Sequence, residues 1–118
     1  MDIQEFTEYC LAKKGVTESF PFGGDTLVFK VVGKMFALTG LDEIPSKANL
    51  KCDPEWGVTL REEYEDITPG YHMNKVHWNT ILLEGQLENA FIKKLIDHSY
   101  QLVVNSLTKR DKAMLDEM

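Results

Sequence analysis

The feature that most constrains the fold is a change of hydrophobic period along the chain. The two ends repeat their apolar residues at helical spacing. The middle alternates with period two, which sends successive side chains to opposite faces of a strand. In residues 26–32, Leu27, Phe29 and Val31 point one way, and Val28, Lys30 and Val32 the other. A second apolar run, Met35-Phe36-Ala37-Leu38-Thr39, follows Gly33-Lys34. The pair reads as a hairpin with a two-residue type II′ turn and Lys34 at its tip. Residues 47–52 place Lys47, Asn49 and Lys51 on one face and Ala48, Leu50 and Cys52 on the other. A further strand is expected over 76–83, with Val76, Trp78, Thr80 and Leu82 opposed to His77, Asn79, Ile81 and Leu83.

Helices bracket these strands. Asp2 and Glu5 have capping-box spacing, and Ile3, Phe6, Cys10 and Leu11 form one stripe, so residues 2–14 read as an amphipathic helix closed by Gly15. Asp53-Pro54 is an N-cap followed by proline at the first helical position. The helix it starts carries Trp56, Leu60 and Tyr64 and frays after Tyr64, where acids oppose the dipole. Ile67-Thr68-Pro69-Gly70 reads as a turn. The longest helix runs from about Leu87 to Leu107, and residues 108–118 read as a frayed polar tail of a single 1–118 domain. Strands joined by hairpins and flanked by helices argue for an α+β fold, an antiparallel sheet with helices packed on one face. The other face then meets solvent with Lys30, Lys47, Asn49, Lys51, His77 and Asn79, none of them acidic.

Composition narrows the function. The 118 residues are 43% hydrophobic and 27% charged, with a net charge of −6. That suits one globular core and excludes a uniformly basic nucleic-acid coat. No apolar run spans a bilayer, and the acidic N-terminus has no signal-peptide core, so a cytoplasmic protein without membrane contact is expected. Cys10 and Cys52 fall on apolar stripes and read as buried thiols. The charge is uneven. Residues 52–66 hold six acids against Arg61, whereas residues 67–83 hold no acid, only Lys75 and two histidines. No nucleophile elbow, phosphate loop, CxxC or HExxH is present, so no enzyme, cofactor or metal site is expected.

One segment is denser than scaffold requires: Pro69-Gly70-Tyr71-His72-Met73-Asn74-Lys75-Val76-His77-Trp78-Asn79. It resembles the PGYHMNKxHWN signature of the MmcQ/YjbR family of small bacterial proteins. Further matches are Phe20-Pro21-Phe22-Gly23, Val28-Phe29-Lys30-Val31, Gly33-Lys34-Met35-Phe36-Ala37, Leu50-Lys51-Cys52-Asp53-Pro54 and Asp97-His98-Ser99-Tyr100-Gln101-Leu102-Val103. The resemblance implies a CyaY-like, frataxin-like two-layer sandwich and a DNA-binding role through paired hairpin wings.

On that reading Lys30, Lys34, Lys47, Lys51 and Lys75 pair with phosphates, and Asn74 and Asn79 hydrogen-bond base edges or backbone oxygens. His72 and His77 gain charge below about pH 6.5 and strengthen binding. Against it, Trp78 shares a face with Val76 and Leu82 and reads as core. Tyr71 and His72 can lock the turn after Gly70, and Asn74 suits an Asx-turn. The expected partner of this monomer is DNA. The alternative is a protein with a basic patch docking on the acidic 53–66 helix or on the polar sheet face. A frataxin-like metal-binding role, carried by Asp2, Glu5 and Glu8, is a third reading.

Overall fold

A computed structural model describes residues 1–70 and 73–118. Among the described residues, six strands form one antiparallel sheet in the order β1-β2-β3-β4-β6-β5. They are β1 (Val16–Ser19), β2 (Thr26–Val31), β3 (Lys34–Gly40), β4 (Lys47–Lys51), β5 (Ile67–Pro69) and β6 (Trp78–Leu82). The helices among the described residues are α1 (Ile3–Leu11), α2 (Pro54–Glu63), α3 (Asn89–Ser106) and α4 (Lys109–Asp116). All four bury residues against one face of the sheet. Phe6, Leu60, Ile92, Ile96, Val103 and Leu115 join Phe29, Val31, Leu50 and Ile81 in a single cluster. This is the expected α+β two-layer sandwich.

The expected caps form. Asp2 accepts a hydrogen bond from the Glu5 amide (2.8 Å) and Asp53 from that of Trp56 (3.1 Å). The helix of Asp53 ends at Glu63, with Tyr64 already extended. The first helix ends at Leu11, short of the expected residue 14, and Gly15 turns the chain with φ +74°. A Cβ on Gly15 would lie 2.5 Å from the Leu115 side chain, so the glycine serves close approach as well as the turn.

Four expectations are corrected. The hairpin turn is Val32-Gly33 rather than Gly33-Lys34. Both turn residues have positive φ (46° and 81°), and Val31 pairs with Lys34, which makes a type I′ geometry. Val32, a β-branched residue in a left-handed conformation, is held there because its amide donates to the Gly15 carbonyl (3.2 Å) and its side chain packs on the core. Residues 67–69 form an edge strand rather than a turn, and Pro69 is tolerated at that edge. Residues 109–116 are helical rather than frayed: Thr108 caps the Asp111 amide (3.1 Å), and Leu115 anchors the helix in the core. The far sheet face, finally, is not simply solvent-exposed. Val28, Leu38 and Trp78 make a second buried cluster there, with Met35 and Met73 packed against it.

A bulge in β3 organises the sheet's centre. Phe29 pairs with Ala37 but Lys30 with Met35, so Phe36 is the extra residue. Phe36 and Ala37 both enter the helix-side core, and Met35 is returned to the far face. The β3–β4 ladder stops at Ala37–Leu50. Beyond it, the buried Ser99 hydroxyl donates to the Phe36 carbonyl (2.5 Å) and accepts from the Lys51 amide (2.8 Å). One α3 side chain thus replaces the missing ladder contact.

Candidate functional site

The site is built on the sheet face away from the helices. Register places Thr26, Val28 and Lys30 of β2, Met35, Leu38 and Gly40 of β3, Lys47, Asn49 and Lys51 of β4, and Trp78 and Thr80 of β6 on this face. Lys30 and Lys51 stand at the same level with β3 between them, about 10 Å apart by strand spacing. Lys34 opens β3 at the same end of the sheet and is exposed.

After β5, Met73 packs against the Val28–Leu38–Trp78 cluster of this face. Gly70 donates its amide to the Trp78 carbonyl (2.8 Å), and a Cβ there would lie 2.8 Å from the Trp78 Cβ, so only glycine closes the loop so tightly. Asn74 then makes the expected Asx-turn. Its Oδ1 accepts from the Val76 amide (2.9 Å), and its carbonyl accepts from the amides of His77 and Trp78. Lys75 and His77 project from this turn into solvent at the lysine end of the face. The His77 carbonyl accepts from the Cys52 amide (2.8 Å), which ties the turn to the end of β4.

At the opposite end of the same face lies a groove of about 390 Å³, lined by Phe22, Thr26, Leu38, Gly40, Glu43, Asn49, Met73 and Thr80. Its floor carries a side-chain hydrogen bond from Thr80 Oγ1 to Asn49 Oδ1 (2.7 Å). Phe22 overhangs it with 67% of its surface exposed, and Glu43 lies 3.9 Å from the Lys47 ammonium.

Of the expected site residues, the structure places Lys30 and Lys51 at one end of the open face. Asn74, Lys75 and His77 are exposed in the turn that leads into β6 beside them. Lys34, paired with the core residue Val31, opens β3 at the same end of the sheet but on its helix-side face. Lys47 sits at the other end, paired with Glu43. Among the described residues, no ion pair engages Lys30, Lys34, Lys51 or Lys75. His72 lies outside the described residues. Asn79 is a correction: it faces the helices, not solvent, and is only 2% exposed. Its Oδ1 accepts from Arg61 Nη1 (2.7 Å), and Gly57 of α2 leaves the room it occupies. The Asn79 Nδ2 group has no hydrogen-bond partner among the described residues and borders a void of about 10 Å³, the size of one water. Trp78 is core as expected, but in the second cluster rather than the main one.

Sequence reasoning passed over His98. Its ring packs edge-on against Trp56 (4.6 Å), and its Nε2 accepts from the Asp53 amide (3.0 Å). Burial lowers its pKa below the ordinary value, and the Asp53 carboxylate opposes that shift. Burial pushes the Cys10 thiol up to about 12 and the Cys52 thiol up to about 11, so neither is a nucleophile at neutral pH. The acids lie elsewhere. Glu63, Glu65, Asp66 and Glu88 line a hollow of about 520 Å³ between α2 and the start of α3.

Fold and surface together define a small α+β two-layer protein in which one sheet face carries the helices and the other carries lysines at one end and a groove toward the other. The YjbR family model matches residues 11–102. The chain is 35% identical to the uncharacterized protein YjbR of Escherichia coli K12 over 118 residues, all of both chains. It is 42% identical to the uncharacterized protein YbdF of Escherichia coli O157:H7 over 94 residues, covering 79% of this chain and 76% of that one. Among solved structures, a Deinococcus radiodurans protein superposes with a TM-score of 0.90 at 37% identity, covering 97% of this chain and 87% of that one. A Pseudomonas syringae protein superposes with a TM-score of 0.75 at 34% identity, covering 86% and 98%. The chain belongs to the MmcQ/YjbR family.

Proposed function

We propose that the open face binds nucleic acid, DNA in the first instance, by its phosphate backbone. The observation that carries this reading is the separation of charge. Lys30 and Lys51 share one end of the open face, Lys34 and Lys75 flank the same end of the sheet, and none of the four has an acidic partner among the described residues. The acids of α1 and the 62–66 segment belong to the helix layer. A net charge of −6 therefore need not repel a phosphate chain from this end of the face, because the field there is local. Lys30 and Lys51 are mounted on paired strands, which limits the backbone entropy lost on binding. Lys47, held by Glu43, and Asn79, turned inward, drop out of the contact set.

Fluorescence anisotropy with labelled DNA at rising salt tests the reading. Affinity falls steeply with salt, and removing Lys30 and Lys51 together lowers the slope by about one to two. Absence of any binding at low salt refutes it. The acidic hollow supports a second reading, a protein partner presenting a basic patch. Capture that survives nuclease treatment and is lost in Glu63→Lys favours that partner over DNA.

A further inference from the structure

The lysines and the groove occupy the same face, and the groove is the wrong shape for a duplex. A double helix presents a convex cylinder with its bases stacked inside, whereas this face offers a hollow walled by Phe22 and Glu43 on one side and Met73 on the other. We propose that the groove receives an unpaired nucleobase, so that the strand held by the lysines is single-stranded. This inference rests on the phosphate-binding reading above.

Three observations carry it. Phe22 keeps two-thirds of its surface in solvent at the lip of the groove, where an aromatic ring offers a stacking platform. The floor has a committed and an uncommitted pole. Asn49 Oδ1 is taken by Thr80, while Asn49 Nδ2 has no hydrogen-bond partner among the described residues and is free to donate to a base carbonyl or ring nitrogen. Glu43 supplies the complementary acceptor for a base amino or imino hydrogen, its charge moderated by Lys47. Spacing agrees as well. Asn49 is two residues from Lys51 along β4, about 7 Å, which is comparable to the reach from a phosphate to the edge of its own base. Glu43 at the far end repels phosphate, so the backbone runs over Lys30 and Lys51 and the base points toward Phe22.

The experiment is anisotropy with a labelled single strand of about 12 nucleotides, its duplex, and free mononucleotides as competitors. At low salt the single strand binds at least about tenfold more tightly than the duplex. Phe22→Ala weakens the single strand roughly five- to a hundredfold, leaves the duplex unchanged, and is rescued by Phe22→Trp. Lys30→Ala with Lys51→Ala weakens both ligands. Phe22 is exposed, so an unchanged melting midpoint confirms that the variant folds. If the lysine variants weaken the single strand but Phe22→Ala does not, the groove inference falls and the phosphate reading stands. If neither nucleic acid binds, both fall. Mononucleotides competing as well as the strand overturn the inference in favour of a small nucleotide ligand.

Discussion

The two faces of the sheet bury apolar residues by different means. On one face, four helices cover a cluster that runs from Phe6 to Leu115. On the other, among the described residues, Met35 and Met73 pack against a small cluster of Val28, Leu38 and Trp78, with a groove beside it. On the helix face, Ser99, His98 and Tyr100 of α3 bond to backbone groups of β3, β4, the start of α2 and the α1–β1 turn, while the buried Asn79 Nδ2 has no partner among the described residues. The open face leaves lysine ammonium groups and an asparagine donor unmatched. One face specifies the fold and the other is available to a ligand.

Mutations can break this comparison, and the largest effect tests whether the open face has a core at all. Trp78→Ala costs about 3 kcal/mol or more in chemical denaturation, because it empties the second cluster; a cost below about 1 kcal/mol would make that face ordinary surface. Ser99→Ala costs about 2–3 kcal/mol by leaving the Phe36 carbonyl and the Lys51 amide unmatched, and hydrogen exchange at the Lys51 amide accelerates. Leu115→Ala costs about 2 kcal/mol and melts α4 first, whereas a frayed tail would show no change.

A smaller effect comes from pH. His98 in the folded protein has a pKa below its unfolded value, so the unfolded chain takes up the proton first. Stability is complete above about pH 6.5 and declines as pH falls through the lowered value. His98→Gln flattens that part of the profile in thermal melts at a series of pH values. The smallest effect is on the open face itself: Lys30→Ala and Lys75→Ala each change stability by less than about 0.5 kcal/mol.

The same contrast explains what was legible in the sequence. The alternation of residues 47–52 assigned every side chain to its observed face, because a strand in a two-layer fold has one wet and one dry side. The same rule failed at Asn79. There polarity stood for exposure, and the Arg61 that satisfies its oxygen lies 18 residues away on another element. The edge strand β1 escaped notice because Val-Thr-Glu-Ser is short and three of its four residues are exposed. The helix α4 escaped because one buried leucine in eight residues makes no stripe. The hairpin turn shifted by one residue because a valine at positive φ contradicts local preference, and tertiary contacts with Gly15 and the core sustain it. The lysine cluster was foreseeable in part, since Lys30 and Lys51 announce their face by alternation. The groove was not, because it arises from loops separated by some 50 residues between Phe22 and Met73.

The Ser99 bridge couples these two faces at one residue. The Lys51 amide is gripped from beneath by α3, and its ammonium reaches the open side. The serine sits like a tooth between two strands, so α3 cannot slide along the sheet without releasing both Phe36 and Lys51 at once.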